Sequence, residues 1–195
     1  MHYRVTTDTN RAVKRDELLL VDSGAQFSDG TTDITRTIAV GDPGPEAREC
    51  YTRVLLGMIA ISRVRWPKGL AGRDLDGFAR YPLWLAGQDF DHGTGHGVGA
   101  FLSVHEGPQR LSRISDVPLE TGMILSNEPG YYREGAFGIR LENLIVVQPA
   151  PALQGGDARE QLSFETLTFV PLDRRLILVD RLSGGERRSE ERRVG

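Results

Sequence analysis

The sequence predicts a single domain of the α+β class, in which strands come first, helices follow and strands return. The chain has 195 residues, of which 39% are hydrophobic and 26% charged, and this is enough for one compact domain with a sizeable core. Apolar or alternating runs near both ends are typical of strands, whereas the middle carries apolar residues at helical spacing. This order of elements is the pattern of an α+β domain.

The first predicted element is a β-hairpin. Residues 18–27 form an apolar run up to Asp22, and the string SGAQFSDG supplies turn residues. Residues 31–40 then alternate with β-branched side chains, which is the pattern of a second strand. The two strands should therefore lie side by side, joined by a tight turn.

An amphipathic helix is predicted over residues 46–64, after the breaker GDPGP and before Trp66. Its apolar positions recur at helical spacing and should form its buried face; they are Tyr51, Leu55, Met58 and Ile59.

A second helix is predicted over residues 74–86. Asp74 provides a start signal, and Pro82 disturbs the interior of the helix. Tyr81 and Trp84 are expected on the face that packs into the core, not on a binding stripe.

Three further strands are predicted over residues 123–132, 137–148 and 163–170. Each of the two predicted strand pairs carries two acidic residues, one on each strand. The pairs are Asp22 with Asp33 and Glu128 with Glu142. This arrangement predicts two similar halves that meet around a shared centre, although the halves show no sequence repeat.

The composition excludes several classes of function. A formal net charge of −3 provides no basic surface for nucleic acid or for an anionic membrane. No apolar run approaches the roughly 20 residues that span a bilayer, and the N-terminus lacks the apolar core of a signal peptide. The single cysteine, Cys50, cannot form an internal disulfide and is expected to be buried. We therefore expect a cytoplasmic protein without nucleic-acid or membrane partners.

The acidic residues favour a metal site. Asp22 is expected at the end of an apolar strand, where an unpaired carboxylate is costly to desolvate. Taken alone, Asp22 could pair either with an arginine, Arg36 or Arg140, or with a metal ion. Four acids on apolar strands together with an imidazole change this balance, because divalent cations best relieve the repulsion among buried carboxylates. The sequence therefore predicts a centre for divalent metal ions.

Two of the four histidines, His92 and His96, lie in the string DHGTGHGVG. An H-x-x-x-H pair resembles a helical zinc site, but the glycines in and after it argue against a stable helix. They also let the backbone approach a metal closely.

The chain resembles the pita-bread metallopeptidases, specifically the Xaa-Pro aminopeptidases, through six strings in this order: LLLVDSGAQF, TTDITRTIAV, DHGTGHGVG, SVHEGP, LSNEPGYY and GIRLENLIVV. The resemblance runs from His2 to about Leu176. It implies the pita-bread fold, a curved antiparallel sheet flanked by helices, truncated on its N-terminal side. The implied catalytic domain covers residues 1–178, and residues 179–195 are expected to be a disordered or artefactual tail.

The same resemblance implies ligands for two divalent cations. Asp22 would bind one cation, Asp33 and Glu142 would bridge both, and His96 and Glu128 would complete the other. Because most of these ligands are oxygen atoms, Mn²⁺ is expected, with Co²⁺ or Zn²⁺ as alternatives.

The resemblance also implies roles for other side chains. His2, His92 and His105 would contact the substrate, and His2 stands at the spacing expected before the first acidic ligand. His92 and His105 would act in catalysis, His105 by stabilising the tetrahedral intermediate. Glu128 would shuttle protons, and Arg140 would orient the carboxylates.

The implied function is that of a dinuclear metal aminopeptidase whose substrate is a peptide with proline in the second position. The strings PLWLAG and SFETLTFVPLDRRLI favour this function over that of prolidase, an Xaa-Pro dipeptidase, which is the enzymatic alternative. A non-catalytic binding module of the same fold is a third alternative, although such modules generally lack the five ligands. The parent protein is further expected to be a homodimer, and the isolated segment to be inactive.

Overall fold

The computed structural model describes residues 5–101 and 103–190, which form an α+β domain. Strands lie toward both ends and helices between them, as predicted. The expected curved sheet consists, in these residues, of separate antiparallel ladders, one of four strands and three of two strands. His2, a predicted substrate contact, lies outside the described residues. None of the described helices is both long and apolar enough to cross a membrane.

The predicted hairpin is confirmed and consists of β1 (Glu17–Phe27) and β2 (Gly30–Val40). In its antiparallel register Asp22 lies opposite Thr35, and Asp33 stands two positions before Thr35 on β2. Opposed residues, and residues two apart on one strand, share a face of the hairpin. Asp22, Asp33 and Thr35 therefore project to the same side.

Helix α1 (Gly44–Arg63) carries the central part of the hydrophobic core. The four apolar positions predicted for its buried face are each at most 1% exposed. After the short strand β3 (Arg65–Pro67), helix α2 (Gly72–Trp84) packs against α1. The two helices approach closely at Gly57, where a Cβ atom would lie 2.1 Å from a backbone carbonyl oxygen of α2.

The buried face of α2 differs from the predicted one. Leu75, Ala79 and Leu83 are at most 1% exposed, whereas Tyr81 and Trp84 are 58% and 46% exposed. The three buried residues recur every four positions, which places the two aromatic residues outside the buried stripe. The prediction that Tyr81 and Trp84 face the core was wrong, because this helix is apolar on both sides.

A four-stranded antiparallel sheet, in the order β3-β10-β9-β6, forms the other half of the core. Three of its strands are β6 (Ile124–Asn127), β9 (Asn143–Pro149) and β10 (Gln161–Thr166). The last of these is displaced from the predicted strand over residues 163–170. The sheet and α2 enclose a cluster of buried apolar residues that includes Trp66.

Each of the two long strands predicted between residues 123 and 148 is divided. The first consists of β6 and β7 (Gly130–Arg133), and the second of β8 (Phe137–Arg140) and β9. β6 pairs with β9, and β7 pairs with β8. Glu128 and Glu142 had been predicted within strands. They stand instead at the two interruptions. The two interruptions lie side by side, since the strands before and after them pair.

Short elements complete the fold. β4 (Gly95–His96) pairs with β5 (Arg110–Leu111) beside the larger sheet. Beyond residue 178 the structure describes a 3₁₀ turn and the short helix α3 (Gly184–Glu190), and Leu182 between them is only 6% exposed. Leu182 therefore packs into the core, although it lies in the segment that was expected to be a disordered tail. The domain boundary at residue 178 stays a prediction.

Candidate metal centre

The five predicted metal ligands converge at the centre of the domain. Asp22 and Asp33 come from the hairpin, His96 comes from β4, and Glu128 and Glu142 come from the two strand interruptions. All five line a cavity of about 490 Å³ between the hairpin and the loop after β4. The structure thus brings together residues that are as much as 120 positions apart in the sequence.

The two aspartates differ in exposure. Asp33 is 8% exposed, whereas the side chain of Asp22 is 52% exposed. Asp22 lies in the middle of β1, and β1 pairs only with β2 among the described strands. The prediction that Asp22 is buried at a strand end was wrong, because the outer edge of this strand faces solvent.

Glu142 is the most deeply buried of the four predicted acidic ligands, with 2% exposure. Its backbone N–H donates to the carbonyl oxygen of Thr35 (3.0 Å), which ties the second strand interruption to β2. The Thr35 hydroxyl donates to Oε2 of Glu142 (2.7 Å), while Oε1 is buried and has no hydrogen-bond partner among the described residues. A buried carboxylate oxygen without a partner is costly, and a bound cation would satisfy it.

A close backbone contact holds His96 beside Glu128. A Cβ atom on Gly95 would lie 1.9 Å from the carbonyl oxygen of Ser126 on β6. Glycine at this position therefore allows β4 to approach β6. The backbone N–H of His96 also donates to the Ser126 hydroxyl (2.9 Å).

The ring of His96 is oriented as a metal ligand would be. Its Nδ1 lies 2.9 Å from the carbonyl oxygen of Gly97, and because a carbonyl only accepts, Nδ1 carries the hydrogen. In the neutral ring the lone pair of Nε2 then faces carboxylate oxygens of Asp33 and Glu128, each 3.3 Å away. Metal-binding histidines commonly donate their other ring nitrogen to a backbone carbonyl in this way.

The possible ligand atoms form three overlapping groups, within each of which they lie within 4.8 Å of one another. Three residues, Asp33, His96 and Glu142, each belong to two of these groups, and two of the three are carboxylates. The groups are Asp22 with Asp33 and Glu142; His96 with Glu128 and Glu142; and Asp33 with His96 and His105. Shared carboxylates therefore connect neighbouring positions for cations.

Burial raises the pKa values of both glutamates. Burial is the main cause for Glu128, whose pKa rises to about 7. The pKa of Glu142 rises to about 8, through burial and then through the negative charges of Glu128 and Asp33. Burial lowers the pKa of His96, but the hydrogen bond to Asp33 and the contact with Gly97 outweigh it and raise this pKa overall. The site therefore holds protons that divalent cations would displace, and its mainly oxygen donors fit ions such as Mn²⁺.

Arg140 links the acids of the two sides. Its Nη2 donates to Oδ2 of Asp22 (2.5 Å), its Nε donates to the Thr35 hydroxyl (3.2 Å), and the same Nε lies 3.8 Å from Oε2 of Glu128. Arg140 is 8% exposed, and the Thr37 hydroxyl donates to its backbone carbonyl (3.0 Å). These contacts suit a residue that orients carboxylates.

Arg36, the other arginine considered as a partner of Asp22, makes different contacts. Its Nη1 donates to the carbonyl oxygen of Glu142 (2.6 Å). Its Nη2 donates to Oδ1 of Asn143 (2.8 Å) and to the carbonyl oxygen of Val170 (2.7 Å). Arg36 therefore fastens β2 to two later segments of the chain.

His92 reaches the acidic cluster through Tyr132. Nδ1 of His92 lies 2.7 Å from the carbonyl oxygen of Gly93 and so carries the hydrogen, which leaves Nε2 of the neutral ring to accept from the Tyr132 hydroxyl (2.8 Å). The same hydroxyl accepts from Nη1 of Arg140 (3.1 Å). Hydrogen bonds thus connect His92 to Asp22 through Tyr132 and Arg140.

His105 lies over His96, and the centroids of the two rings are 3.9 Å apart. It is exposed, and it borders both the cavity that holds the acids and a neighbouring cavity of about 600 Å³. His92 lines the neighbouring cavity as well. The two imidazoles predicted on the substrate side therefore border the acidic cluster.

Three residues of the site were missed by the sequence analysis: Thr35, Ser126 and Tyr132. Thr35 stands two residues after Asp33, and Ser126 two residues before Glu128, whose Oε1 accepts from the Ser126 hydroxyl (3.0 Å). The period of a strand could have indicated the first two. Tyr132 had no comparable signal, because the interruption at Glu128 separates it from the preceding strand.

A cluster of four carboxylates and an imidazole, with acids shared between neighbouring positions, is the kind of site found in dinuclear metal hydrolases. The sequence profile of the metallopeptidase family M24 matches residues 1–149. The chain belongs to this family and has its pita-bread fold.

Known relatives agree with this assignment. Aminopeptidase P2 from Arabidopsis thaliana is 50% identical over 188 residues, which are 95% of this chain and 26% of the relative. Xaa-Pro aminopeptidase 1 from Dictyostelium discoideum is 45% identical over 95% of this chain and 30% of the relative. The chain thus spans less than a third of the length of these curated relatives.

Solved structures of related enzymes are also similar to this one. The X-prolyl aminopeptidase of Caenorhabditis elegans, described as a cytosolic enzyme with a di-nuclear active site, matches with a TM-score of 0.90 at 38% identity, over 96% of this chain and 30% of that one. An Xaa-Pro dipeptidase from Bacillus anthracis matches with a TM-score of 0.69 at 33% identity, over 86% of this chain and 43% of that one.

Proposed function

We propose that the full-length protein is a metal-dependent aminopeptidase that hydrolyses the bond between an N-terminal residue and a following proline. The observation that carries this proposal is the convergence of all five expected ligands on one cavity. Its support from relatives is the 50% identity to Aminopeptidase P2 from Arabidopsis thaliana.

Two divalent cations, with Mn²⁺ as the proposed ion, would be held by the five ligands. Asp22 would bind one, His96 and Glu128 the other, and Asp33 and Glu142 both. The membership of Glu142 in two ligand groups and its unpartnered Oε1 support this assignment. When bound, the cations would lower the pKa of a water molecule and polarise the scissile carbonyl group.

Glu128 is proposed to carry the proton between the attacking water and the departing proline nitrogen. Its carboxylate is held by the Ser126 hydroxyl (3.0 Å) and lies 3.3 Å from Nε2 of His96. These contacts hold the carboxylate in a fixed position for such a transfer. Arg140 would keep Glu128 and Asp22 in a fixed relation to each other.

The histidines would act on the substrate. His105 is exposed above His96 and would donate a hydrogen bond to the oxyanion that develops at the carbonyl group. His92 borders the adjoining cavity, where it would contact the substrate beside the reacting bond. His2 is proposed as a third substrate contact on the grounds of its position in the sequence.

Prolidase activity is the second candidate, because an Xaa-Pro dipeptidase shares the fold with a TM-score of 0.69. A prolidase hydrolyses dipeptides and releases free proline. The TM-score of 0.90 to an X-prolyl aminopeptidase favours the first candidate.

The test is hydrolysis of three matched peptides by the full-length protein with added Mn²⁺. We expect release of the N-terminal residue from Xaa-Pro-Xaa, little release from Xaa-Ala-Xaa, and loss of activity with a chelator. Cleavage of an Xaa-Pro dipeptide alone would instead establish a prolidase. Absence of any cleavage by protein with bound Mn²⁺ would contradict both enzymes and favour a binding module.

We also propose a cytosolic homodimer. The description of the Caenorhabditis elegans relative as cytosolic supports the location. The exposed apolar side chains of Phe78, Tyr81, Trp84 and Leu85 on or next to α2 provide a surface that a second copy could cover. Sedimentation of the full-length protein would measure its oligomeric state, and a monomer at micromolar concentration would contradict the dimer.

A further inference from the structure

A buried ion pair on α2 faces the segment that leads into the metal centre. Asp76 and Arg80 stand four residues apart and are 1% and 2% exposed. Nε of Arg80 lies 2.6 Å from Oδ2 of Asp76, and Nη2 lies 3.3 Å from Oδ1. Residues 89–94, here named the His92 segment, follow α2 without helix or strand structure and end directly before β4.

The guanidinium of Arg80 has all five of its N–H groups engaged. Two point to Asp76, and three point to the His92 segment. The three acceptors in this segment are Oδ1 of Asp89 (2.9 Å), the carbonyl oxygen of Phe90 (2.6 Å) and the carbonyl oxygen of His92 (2.8 Å). The central carbon of the guanidinium also lies 4.0 Å from the centroid of the Phe90 ring.

Asp76 extends the same network toward Glu128. Its Oδ1 accepts from the Thr94 hydroxyl (2.7 Å). The carbonyl oxygen of Thr94 in turn accepts from the backbone N–H of Glu128 (2.7 Å). The ion pair is thus one hydrogen bond from the backbone of His92, and Thr94 alone stands between it and the backbone of Glu128.

Stability alone does not account for such a pair. Apolar residues of similar size often replace a buried ion pair without loss of stability. An apolar pair could not bind two backbone carbonyls and a hydroxyl at the same time. The His92 segment includes Gly93, whose backbone has a wide conformational range, so its path depends on such external contacts.

We propose that Asp76 and Arg80 are positioning residues of the metal centre, which fix His92 toward the cavity and hold the backbone of Glu128 through Thr94. Neither residue touches the substrate in this role. The part of the inference that concerns turnover rests on the proposed function, whereas the parts that concern metal binding and the His92 ring rest on the geometry of the site.

The principal variant is the double substitution Asp76→Leu with Arg80→Met in the full-length protein, which replaces the ion pair by apolar side chains. The matched control is Glu49→Leu with Arg53→Met, which removes an ion pair of the same spacing on α1. Each protein is compared by its melting temperature, its Mn²⁺ affinity, the ring ¹⁵N signals of His92 without metal, and kcat/KM for Xaa-Pro-Xaa.

We expect the principal variant to remain folded while Mn²⁺ affinity and kcat/KM each fall roughly tenfold or more, the usual effect of losing the groups that orient metal ligands. The ring signals of His92 should shift or broaden as its contact with Tyr132 is lost. The control should match the wild type in all three site measurements. A folded principal variant with unchanged affinity, unchanged turnover and unchanged His92 signals would overturn the proposal.

Thr94→Val provides a second test that keeps the ion pair intact. It removes the hydroxyl that binds Asp76, so Mn²⁺ affinity should fall while the His92 signals stay in place. If the principal variant does not fold, an unchanged Mn²⁺ affinity in Thr94→Val overturns the proposal. If the wild type cleaves no proline peptide, the proposed function fails, but Mn²⁺ affinity and the His92 signals still decide this inference.

Discussion

The two sides of the metal centre differ in how far they are buried. On the hairpin side, the side chain of Asp22 is 52% exposed, and Val21 and Phe27 on the same strand are 44% and 56% exposed. On the side built from β6 and β9, Glu142 is 2% exposed and Leu125 is fully buried. The two sides carry the same type of ligand in very different surroundings.

This difference means that the two sides contribute differently to the site: one by the cost of burying charge and the other by the position of its carboxylate. On the buried side, the pKa values of Glu128 and Glu142 are raised because desolvation disfavours their charged forms. On the open side, solvent reaches Asp22, and Arg140 fixes its position. We infer that the buried side determines how much bound cations would stabilise the fold, while the open side determines the position of the cations.

Glu142→Gln should have the largest effect, because this residue belongs to two ligand groups. Loss of a carboxylate shared by both cations should lower kcat/KM for Xaa-Pro-Xaa by at least about a thousandfold, since metal catalysis contributes several kcal/mol to the barrier. Mn²⁺ titration should show weakened binding. The same amide should stabilise the metal-free fold above about pH 4.5, because it is neutral without the proton that the buried carboxyl group must take up on folding.

The matched control is Glu165→Gln on β10, whose side chain is exposed. It should retain the activity and Mn²⁺ binding of the wild type. Full activity of Glu142→Gln would refute the shared role of this carboxylate.

The stability of the metal-free protein should fall as the pH rises from about 5 to 8. A carboxyl group whose pKa is raised in the folded state favours folding while it is protonated. Its contribution is complete below its ordinary pKa of 4.5 and is lost as the pH passes the folded values of about 7 for Glu128 and about 8 for Glu142. The loss should be on the order of a few kcal/mol.

Denaturant unfolding at several pH values would measure this slope. Glu142→Gln should flatten it, and saturating Mn²⁺ should oppose it, because deprotonated ligands bind metal more tightly. If Asp22→Asn on the open side flattened the slope as much as Glu142→Gln does, the assignment of the energetic cost to the buried side would be wrong.

Arg140→Met should remove the contacts that link the open side of the site to the buried side. The variant removes the donor to Asp22 and the positive charge near Glu128, so that Mn²⁺ affinity or kcat/KM should fall by roughly ten- to a hundredfold. Arg140→Lys should recover part of this loss, since it keeps the charge but not the fork of donors. Arg133→Met is the control. Arg133 lies on β7, which pairs with the strand that carries Arg140, but its side chain is 48% exposed, so the variant should behave as wild type.

Local patterns predicted the open side of the site better than the buried side. The sequence predicted a tight hairpin with one acidic residue on each strand, and in the register of that hairpin Asp22 and Asp33 lie on one face. The exposure of Asp22 could not be predicted in the same way, because it depends on what packs beside β1. Exposure is a property of the tertiary structure.

The buried side was predicted as two long strands, whereas each of them is interrupted. Pro129 directly follows Glu128 and cannot donate to a strand ladder, so the first interruption had a signal in the sequence. The second, at Glu142, lies in the string IRLENL, where apolar and polar residues still alternate in part, and had none. Similarly, α2 has apolar residues on its buried face and on its exposed face. Only the elements that pack against the helix decide that Leu83 and not Trp84 is buried.

Thr35→Val should have the smallest effect of the four changes. The substitution is nearly isosteric and removes one hydroxyl, which donates to Oε2 of Glu142 and accepts from Nε of Arg140. The bond to Glu142 is the one that acts on a proposed ligand, and because a hydrogen bond contributes roughly 0.5–1.5 kcal/mol, its loss should lower kcat/KM about three- to tenfold.

Thr52→Val on α1 is the matched control for Thr35→Val. Its hydroxyl is also buried, donates to the carbonyl oxygen of Leu176 (3.4 Å) and accepts from the N–H of Leu178 (3.0 Å). It should lower the melting temperature while leaving kcat/KM unchanged. If Thr35→Val behaved in the same way, the Thr35 hydroxyl would serve the packing of β2 and not the coupling between the two sides of the site.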